Sequence, residues 1–418
     1  MRPISIPESA ADQRKQFARA YAVLETGITE RGFPGASFGV ISKGRLLAVD
    51  GIGHFTYGSE SNCGRAIESV EPLHRPVTPF TVYDVASLTK VLATTAMAML
   101  LHDRGILDLD EPVGDILPGF VAGMDPGSGK NKVTLKMLLA HSSGLPGYAR
   151  LFEAHPTPQQ MLRACLRMPL EALPGARAEY SDIGFILLGA AIEVLSGQKL
   201  ASLCMREIFE PLGMTQTRFC PPVNLRDAIP PTECDTTFRQ RVVQGEVHDE
   251  NCYALGGSAG HAGLFSSARD VLRYAECILG GGKTALERRS DTGPSDTEQG
   301  GLSANIAGTA RLQLFGSQIF RPQTVELFAT RQITPAGTSR ALGWDTPTKP
   351  SSSGKFFSPG SVGHLGYTGT SVWIDRDREL AVVLLTNRTW PGRNRPAASW
   401  EAIRRIRPQF HDMVCGAL

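Results

Sequence analysis

The chain has 418 residues, of which 42% are hydrophobic, and its 43 lysines and arginines nearly balance its 41 aspartates and glutamates. This length is enough for a large hydrophobic core and about two domains of ordinary size. The balanced charge argues against nucleic acid as a partner, because nucleic-acid-binding proteins concentrate basic residues on one face. The longest apolar runs, such as VLATTAMAMLL, are shorter than the ~18 residues of a membrane-spanning helix, so we expect a soluble globular protein without a membrane span.

The start of the chain and its cysteines bear on the cellular compartment. The first residues, MRPISIPESAADQRKQF, lack the apolar segment typical of an export signal. The eight cysteines are scattered without C-x-x-C spacing, which is typical of buried thiols rather than of a disulfide framework. We therefore expect a cytoplasmic protein with reduced cysteines.

In chain order, the patterning changes from strand to helix and back. ASFGVISKGRLLAV, from Ala36, has two short strand-like runs around the turn SKG, and TSVWIDRDRELAVVLLTN near the other end has the same form, so each predicts a β-hairpin. Apolar periodicity between the hairpins predicts helices, which lie at 85–104, TLKMLLAHSSG, TPQQMLRACLRM, SDIGFILLGAAIEVLSG and SARDVLRYAECILGGG. A last amphipathic helix is predicted at SWEAIRRIRPQFHDMV. We expect the two hairpins to share one antiparallel sheet.

These elements predict a two-lobed α/β (α+β) protein. Residues 1–80 and 261–418 would form the α/β lobe, and residues 81–260 an all-helical lobe inserted between them. Residues 286–318 are rich in Gly, Ser and Thr and poor in large apolar side chains, which predicts a flexible surface insertion.

An S-x-x-K spacing, which can pair a nucleophilic serine with an activating lysine, occurs three times. Ser196 lies at a predicted helix end and Ser352 in the loop PSSSGK, so both spacings are interpreted as accidental. Ser87 instead lies where a helix is predicted to begin, with Lys90 one turn further on the same face. Flanking apolar residues would bury Lys90, and a lysine so placed can take a serine proton. The alternative is a simple helix cap at Ser87 with Lys90 reaching solvent.

Two other motifs fail as ligand sites. LGGGKT at 279–284 would be a phosphate-binding loop only with Gly at position 277, where this chain has Cys277. His248 and Cys252 could meet on one helix face, but no neighbouring cluster supplies the further ligands that a metal needs. The sequence therefore predicts neither a metal nor a cofactor.

Six motifs spread from about 33 to 387 occur in a recognisable order, and they read FPGASFGVISKGRLLAVDGIG, ASLTK, TLKMLLAHSSGLP, YSDIGFILLGAAIE, ALGGSAGHAGLFSSARDVLRY and GHLGYTGTSVWID. In this order the chain resembles the serine β-lactamase-related hydrolases, specifically the class C-like branch of penicillin-binding carboxypeptidases, cell-wall amidases and serine esterases. The resemblance implies a β-lactamase/transpeptidase-like fold. An antiparallel sheet built from both termini is flanked by helices, an all-helical lobe is inserted, and the active site lies in the cleft.

The resemblance also implies roles for three residues. Ser87 would be the acylated nucleophile, Lys90 its activating partner, and Tyr180 the general base, as tyrosinate or in concert with Lys90. A tyrosine has an unperturbed pKa of ~10, so useful basicity at neutral pH requires a nearby positive charge, which Lys90 can supply. Taken alone, Tyr180 before an apolar helix would be a packed tyrosine, and the ordered motifs favour the catalytic interpretation.

The chain departs from the family pattern at Asp182, which stands where the family Tyr-x-Asn motif has Asn. A carboxylate can accept a hydrogen bond from Lys90 and raise its pKa, but it cannot donate one to a substrate carbonyl. We therefore expect weaker binding of an acylamino side chain.

The second departure is at His364, which replaces the lysine of the family Lys-Thr-Gly motif. A histidine with a pKa of ~6.5 is mostly neutral at pH 7 and binds a substrate carboxylate less well, although His364 could instead be a structural residue of the sheet. Gly366 would still allow close approach of substrate, and the backbone N–H groups of Tyr367 and Ser87 would form the oxyanion hole. His261 is ambiguous between a cleft wall and a core histidine.

These residues predict a cofactor-independent serine hydrolase that cleaves an ester or amide through an acyl-enzyme on Ser87. An esterase is favoured, acting on a small-molecule ester or amide or on a peptidoglycan-derived substrate. The alternatives are a cell-wall carboxypeptidase, muramyl-peptide amidase or weak β-lactamase, an acyltransferase, and a non-catalytic ligand sensor or scaffold. The presence of serine, lysine and tyrosine together argues against a scaffold. The oligomeric state stays open.

Overall fold

The computed structural model describes residues 10–57, 74–284, 318–393 and 398–418, in which ten strands form three antiparallel sheets. The strands are β1 Gly35–Ser42, β2 Arg45–Gly53, β3 Val82–Asp84, β4 Arg218–Phe219, β5 Glu233–Asp235, β6 Arg241–Val243, β7 Leu264–Ser267, β8 Val362–Leu365, β9 Ser371–Asp375 and β10 Leu380–Thr386. The α-helices are α1 Ala10–Gln16, α2 Ala18–Thr29, α3 Ala96–Asp103, α4 Val113–Ile116, α5 Leu135–Leu139, α6 Pro158–Arg167, α7 Asp182–Ser196, α8 Leu200–Cys204, α9 Val223–Arg226, α10 Glu250–Ala254, α11 Ala268–Leu279, α12 Pro322–Ala329 and α13 Ala398–Cys415.

The five-stranded sheet joins the two ends of the chain. Its strand order is β2-β1-β10-β9-β8, so the two predicted hairpins share one antiparallel sheet, as expected. The hairpins meet at β1 and β10, where Ala36 pairs with Thr386 and Ser42 with Leu380. The last strand, β8, is the one that carries His364 towards the candidate site.

Both faces of this sheet are covered by helices. Along β10, Leu380, Val382 and Leu384 belong to the hydrophobic cluster under α2 and α13, whereas the intervening residues belong to the larger cluster on the α11 side. Because successive side chains of a strand point to opposite faces, a strand covered on both sides is apolar throughout. Gly39 of β1 allows α11 to pack closely, since a Cβ there would lie 2.4 Å from Leu272 Cδ1.

The middle of the chain is mainly helical. Helices α5, α6 and α7 form where apolar periodicity predicts them, and α7 ends at Gly197, whose φ of +66° favours glycine. Residues 81–260, the predicted helical segment, also contain the short strands β3 to β6. Strands of two or three residues are too short to leave a period-two pattern. The lobe boundaries at 80/81 and 260/261 stay a prediction.

Two sequence expectations concern segments rather than side chains. The predicted insertion at 286–318 lies outside the described residues except for residue 318. Within the described ranges, no single helix is both long and apolar enough to cross a membrane. The consecutive helical segments Asp182–Ser196 and Leu200–Phe209 are together long and apolar enough, but they are bent by 73° relative to each other.

The cysteines differ from expectation at one position. Cys234 is disulfide-bonded, whereas the sequence analysis expected reduced thiols throughout. Six other cysteines in the described ranges form no disulfide, and all of these except Cys220 are buried. Cys-x-x-Cys spacing is not required for a disulfide, because its formation depends on the approach of two Cα atoms in the fold.

Candidate active site

Ser87 follows a sharp turn at the end of β3. Ala86–Leu88 forms a short 3-10 turn, Lys90–Thr95 is a π-helix, and only then does α3 begin. The continuous helix predicted over 85–104 is therefore wrong over residues 85–95, and so is the placement of Ser87 in the first turn of an α-helix. Over only two turns, the spacing of apolar residues does not distinguish an α-helix from a tighter 3-10 helix or a wider π-helix.

Lys90 is fully buried beneath Ser87 and donates three hydrogen bonds. Its Nζ lies 2.6 Å from Asp182 Oδ1, 2.9 Å from the carbonyl oxygen of His261 and 3.2 Å from Ser87 Oγ. These acceptors match the three donors of an ammonium group. Burial alone would lower the pKa of Lys90, but Asp182 and Tyr180 together outweigh burial and raise it. Lys90 is therefore charged in the resting protein.

Tyr180 lies just before α7, whose start is capped by Ser181. The Ser181 hydroxyl accepts the backbone N–H of Gly184 at 3.0 Å and donates to the carbonyl of Pro146 at 2.7 Å. The Tyr180 side chain interacts with Lys90 and Ser87, and the Tyr180 ring centroid lies 4.9 Å from Lys90 Nζ. Burial raises the pKa of Tyr180, and the charge of Lys90 only partly offsets this rise.

The turn after β8 is bonded to the segment that carries Ser87. Thr370 Oγ1 donates to the carbonyl of Val85 at 3.0 Å, and the backbone N–H of Gly366 donates to the carbonyl of Thr370 at 2.7 Å. A Cβ at Gly366 would lie 2.0 Å from Thr370 Oγ1 and 2.6 Å from the Val85 carbonyl oxygen. Glycine is therefore required here by contact with the protein itself, whereas the sequence analysis attributed the requirement to substrate.

A cavity of about 400 Å³ opens above Ser87. Its described lining residues are Asp84, Ala86, Ser87, Tyr148, Tyr180, Asp182, Val247, His248, Asp249, Glu250, His261, Ala262, Tyr367 and Arg393. Four of the seven predicted site residues line this cavity, namely Ser87, Tyr180, Asp182 and Tyr367. A fifth, Lys90, lies behind the lining and donates hydrogen bonds to Ser87 and Asp182. His364 and Gly366 are not among the described residues of the lining.

His364 is buried beside Tyr180. Its side chain is 4% exposed, the two ring centroids are 5.9 Å apart, and its Nδ1 lies 2.8 Å from the carbonyl oxygen of Leu365. Burial, together with the positive charges of Lys90 and Arg340, holds the pKa of His364 well below its ordinary value. A neutral His364 agrees with the sequence expectation. Its side chain is buried behind residues that line the cavity.

Asp249, which the sequence did not single out, pairs with His261 on the cavity wall. His261 Nε2 lies 2.9 Å from Asp249 Oδ1, and Asp249 also caps α10 by accepting the backbone N–H of Cys252 at 2.7 Å. Burial opposes the charged form of Asp249, but these contacts hold its pKa well below the usual range. The ambiguity of His261 is resolved in favour of the cleft wall, where its carbonyl also binds Lys90.

A second missed group lies further along the same wall. Arg393 contacts Glu233 at 2.5 Å and Glu250 at 2.8 Å, and His248 Nε2 lies 3.0 Å from Glu233 Oε2. His248 therefore faces a carboxylate, and Cys252 Sγ donates instead to the carbonyl of Ala262. Within the described ranges, no three His, Cys, Asp or Glu side chains are grouped as a metal site requires. No local sequence signal joins these residues, which are up to 160 positions apart.

With this geometry established, comparison with known proteins identifies the class. The sequence profile of the family described as Beta-lactamase matches residues 20–404, so the chain belongs to the Beta-lactamase family, a family of serine hydrolases. The resemblance inferred from the six motifs is thereby confirmed.

Two curated relatives illustrate the family. The "N-acetylmuramyl-L-alanine amidase" of Bacillus subtilis (strain 168) is 29% identical over 416 residues, which cover 91% of this chain and 83% of the relative. The "Putative D-alanyl-D-alanine carboxypeptidase" of Escherichia coli (strain K12) is 32% identical over 342 residues, which cover 76% and 71%. The names describe an amidase and a carboxypeptidase, respectively.

Solved structures confirm the predicted fold class. A penicillin-binding protein homologue from Caulobacter crescentus superposes with a TM-score of 0.66 at 18% identity, covering 96% of this chain and 98% of that one. EstCE1, described as a hydrolase with promiscuous acyltransferase activity, gives a TM-score of 0.66 at 19% identity, with coverage of 96% and 100%. At these identities the similarity shows the fold alone.

Proposed function

We propose that the protein is an esterase that works through a covalent acyl-enzyme on Ser87. The observation that carries the proposal is the buried Lys90 ammonium, which joins Ser87 Oγ to the Asp182 carboxylate beside Tyr180. A non-catalytic scaffold has no physical need for a desolvated lysine bonded to a serine at the base of a cavity.

The proton transfers follow from the charge states of the site. At rest Tyr180 holds its proton and Lys90 is charged, so the active form is the Tyr180–Lys90 pair that has lost one proton. Ser87 Oγ bonds to the substrate carbonyl carbon while its proton passes to this pair. The pair returns the proton to the leaving alcohol as the bond between carbon and alcohol oxygen breaks. Water then attacks the acyl-enzyme, gives a proton to the pair and releases the acid, and the pair reprotonates Ser87.

The backbone N–H groups of Ser87 and Tyr367 are the proposed oxyanion hole. Both residues line the cavity, and the turn that follows β8 is hydrogen-bonded to residues just before Ser87. Donors fixed in this way stabilise the negative oxygen of the tetrahedral intermediate without reorganising.

The charges near the cavity favour an uncharged ester over a carboxylate-bearing peptide. Asp249 and Glu250 line the cavity, and Arg393 is already paired with Glu233 and Glu250. A neutral His364 provides no cation at the position of the family lysine. A substrate carboxylate would therefore meet little compensating charge.

Cell-wall amide hydrolysis is the second candidate. Both curated relatives carry names of that kind, and the Arg340 guanidinium lies 5.5 Å from the Tyr180 ring centroid, close to His364. Arg340 could bind a substrate carboxylate in place of the family lysine. Acyl transfer would use the same acyl-enzyme with another alcohol or amine replacing water. A cytoplasmic location stays a prediction. The disulfide at Cys234 favours an oxidising compartment instead, because disulfides persist mainly in such compartments.

A substrate panel tests the proposal. We would measure kcat/KM for p-nitrophenyl esters of several chain lengths, for a peptide ending in D-Ala-D-Ala and for a chromogenic cephalosporin, with Ser87→Ala and Ser196→Ala as paired variants. Ser196 has the same spacing to a lysine but lies at the end of α7, away from the cavity. The proposal predicts ester hydrolysis that is lost in Ser87→Ala and kept in Ser196→Ala. Preferential turnover of the peptide would favour the second candidate.

A further inference from the structure

Asp84 is a buried carboxylate beside Ser87 that the proposed chemistry does not use. It ends strand β3, is 2% exposed and contributes to the cavity lining. Its two carboxylate oxygens accept different backbone N–H groups, Oδ1 from Ala86 at 2.8 Å and Oδ2 from His248 at 2.6 Å. Asp84 thus connects the segment before the nucleophile to His248, another residue of the cavity lining.

The bond from Ala86 constrains a strained residue. Ala86 has a φ of +48°, in the left-handed region that favours glycine and that a residue with a Cβ adopts at a cost. This conformation makes the sharp bend between β3 and Ser87. Since such strain persists only where the surrounding structure opposes its release, the hydrogen bond to Asp84 Oδ1 is a direct restraint on the direction of Ser87.

The same segment is bonded to the turn that carries Tyr367. Thr368 Oγ1 donates to the carbonyl of Asp84 at 2.8 Å, and Thr370 Oγ1 donates to the carbonyl of Val85. These bonds to the carbonyls of Asp84 and Val85 hold the turn of Tyr367 against the segment that leads to Ser87. A displacement of the turn at Ala86 would move the nucleophile relative to these donors.

We infer that Asp84 is a positioning residue, whose carboxylate holds the left-handed turn at Ala86 and so sets Ser87 against the N–H group of Tyr367. The inference rests on the proposed function of Ser87. A carboxylate suits this place because both of its oxygens can accept. An asparagine would keep one acceptor and direct an NH₂ group at the second backbone N–H, leaving two donors facing each other.

The test compares Asp84→Asn with Asp270→Asn in the full chain. Asp270 is 3% exposed, also accepts a backbone N–H, that of Gln216 at 2.7 Å, and is not part of the cavity lining. The readouts are Tm and the second-order rate of phosphonylation by a fluorophosphonate. We expect similar losses of Tm, with a drop in phosphonylation on the order of a hundredfold in Asp84→Asn alone, since small misplacements of reacting groups have such effects.

A rescue variant separates positioning from general destabilisation. Glycine adopts the left-handed conformation without a Cβ penalty, so Ala86→Gly added to Asp84→Asn should restore phosphonylation by about tenfold. If Asp84→Asn does not fold, Thr368→Val is the alternative variant. It removes the hydroxyl that donates to the Asp84 carbonyl but keeps the shape of the side chain, and it should slow phosphonylation. Phosphonylation of Asp84→Asn within about threefold of wild type, or equal losses in Asp84→Asn and Asp270→Asn, would overturn the inference.

The controls also separate this inference from the proposed function. A wild-type protein with no Ser87-dependent adduct counts against the proposed function, whatever Asp84 does. A reactive wild type with an equally reactive Asp84→Asn counts against the positioning role alone.

Discussion

Lys90 Nζ lies 2.6 Å from Asp182 Oδ1, in an ion pair whose lysine is fully buried and whose aspartate side chain is 17% exposed. Burial lowers the pKa of Lys90, whereas Asp182 and Tyr180 raise it, and the net shift is upward. The residue that departs from the family motif is therefore the one that sets the charge of the site. Asp182 favours the protonated form of Lys90, a member of the proposed base pair, at neutral pH.

Replacement of Asp182 by asparagine should move the pH dependence of catalysis. A raised pKa keeps Lys90 protonated to higher pH, so acylation should increase with pH in the wild type. Asp182→Asn removes the carboxylate that raises this pKa, so the increase should occur at lower pH. The measurement is kcat/KM for a p-nitrophenyl ester from about pH 6 to about pH 10. Glu193→Gln, which breaks the exposed pair with Lys199, is the control, and an unmoved profile in Asp182→Asn would refute the assignment.

Removal of the Tyr180 hydroxyl should slow acylation without unfolding the protein. Tyr180→Phe keeps the ring contacts with His141 and His364 but loses the hydroxyl that interacts with Lys90 and Ser87. General acid–base groups contribute about 10²-fold to 10⁴-fold, and we expect a loss in this range. The matched control is Tyr21→Phe, which loses a 2.6 Å hydrogen bond to Asp50 on the far side of the sheet. Equal acylation rates in the two variants would exclude Tyr180 from proton transfer.

A methyl group at Gly366 should disturb the proposed oxyanion hole. Gly366→Ala would place a Cβ 2.6 Å from the Val85 carbonyl oxygen and closer still to Thr370 Oγ1. The turn must shift away from Ser87, so we expect phosphonylation to fall by at least about tenfold. Gly392→Ala is the control, because nothing lies within 4 Å of a Cβ at Gly392. Normal phosphonylation of Gly366→Ala would show that the turn need not contact the Ser87 segment this closely.

The Glu233 network should contribute to stability in a pH-dependent way. Burial opposes ionisation of Glu233, but hydrogen bonds from His248 and Arg393 lower its pKa to about 2. A lowered carboxylate pKa adds stability above the unfolded value of ~4.3, and this stability is lost as pH falls towards about 2. Urea unfolding at neutral pH and near pH 3 should show a contribution on the order of 2–3 kcal/mol in the wild type.

Glu233→Gln provides the comparison for that acid dependence. The variant should be less stable than wild type at neutral pH, because Arg393 loses a charged partner, and the difference should shrink in acid. A constant difference between the two proteins across this pH range would contradict the linkage.

Local patterns predicted the parts of the fold that local sequence controls. The two hairpins, α7 with its terminal Gly197, and the fully apolar β10 follow from periodicity and turn residues. Ser87, Lys90 and Tyr180 were found because family motifs record a spatial arrangement that spacing alone does not. The winding around Lys90 was mispredicted, because a π-helix leaves the same short apolar pattern as an α-helix.

Contacts between distant segments could not be predicted from one sequence. Asp84 meets His248, Arg393 meets Glu233, and His261 meets Lys90 only after the chain has folded. A polar residue that binds backbone N–H groups leaves no periodic signal, so the sequence did not single out Asp84.

The central claim is that Ser87 is an activated nucleophile, and intact-mass spectrometry after exposure to a fluorophosphonate tests it most directly. Wild type, Ser87→Ala and Ser196→Ala would be treated in parallel, with a penicillin as a second probe. We predict one phosphonyl adduct on wild type and on Ser196→Ala, and none on Ser87→Ala. An additional penicillin adduct would move the substrate towards cell-wall peptides. A wild-type protein that forms no Ser87-dependent adduct with either probe would contradict the account and favour a non-catalytic scaffold.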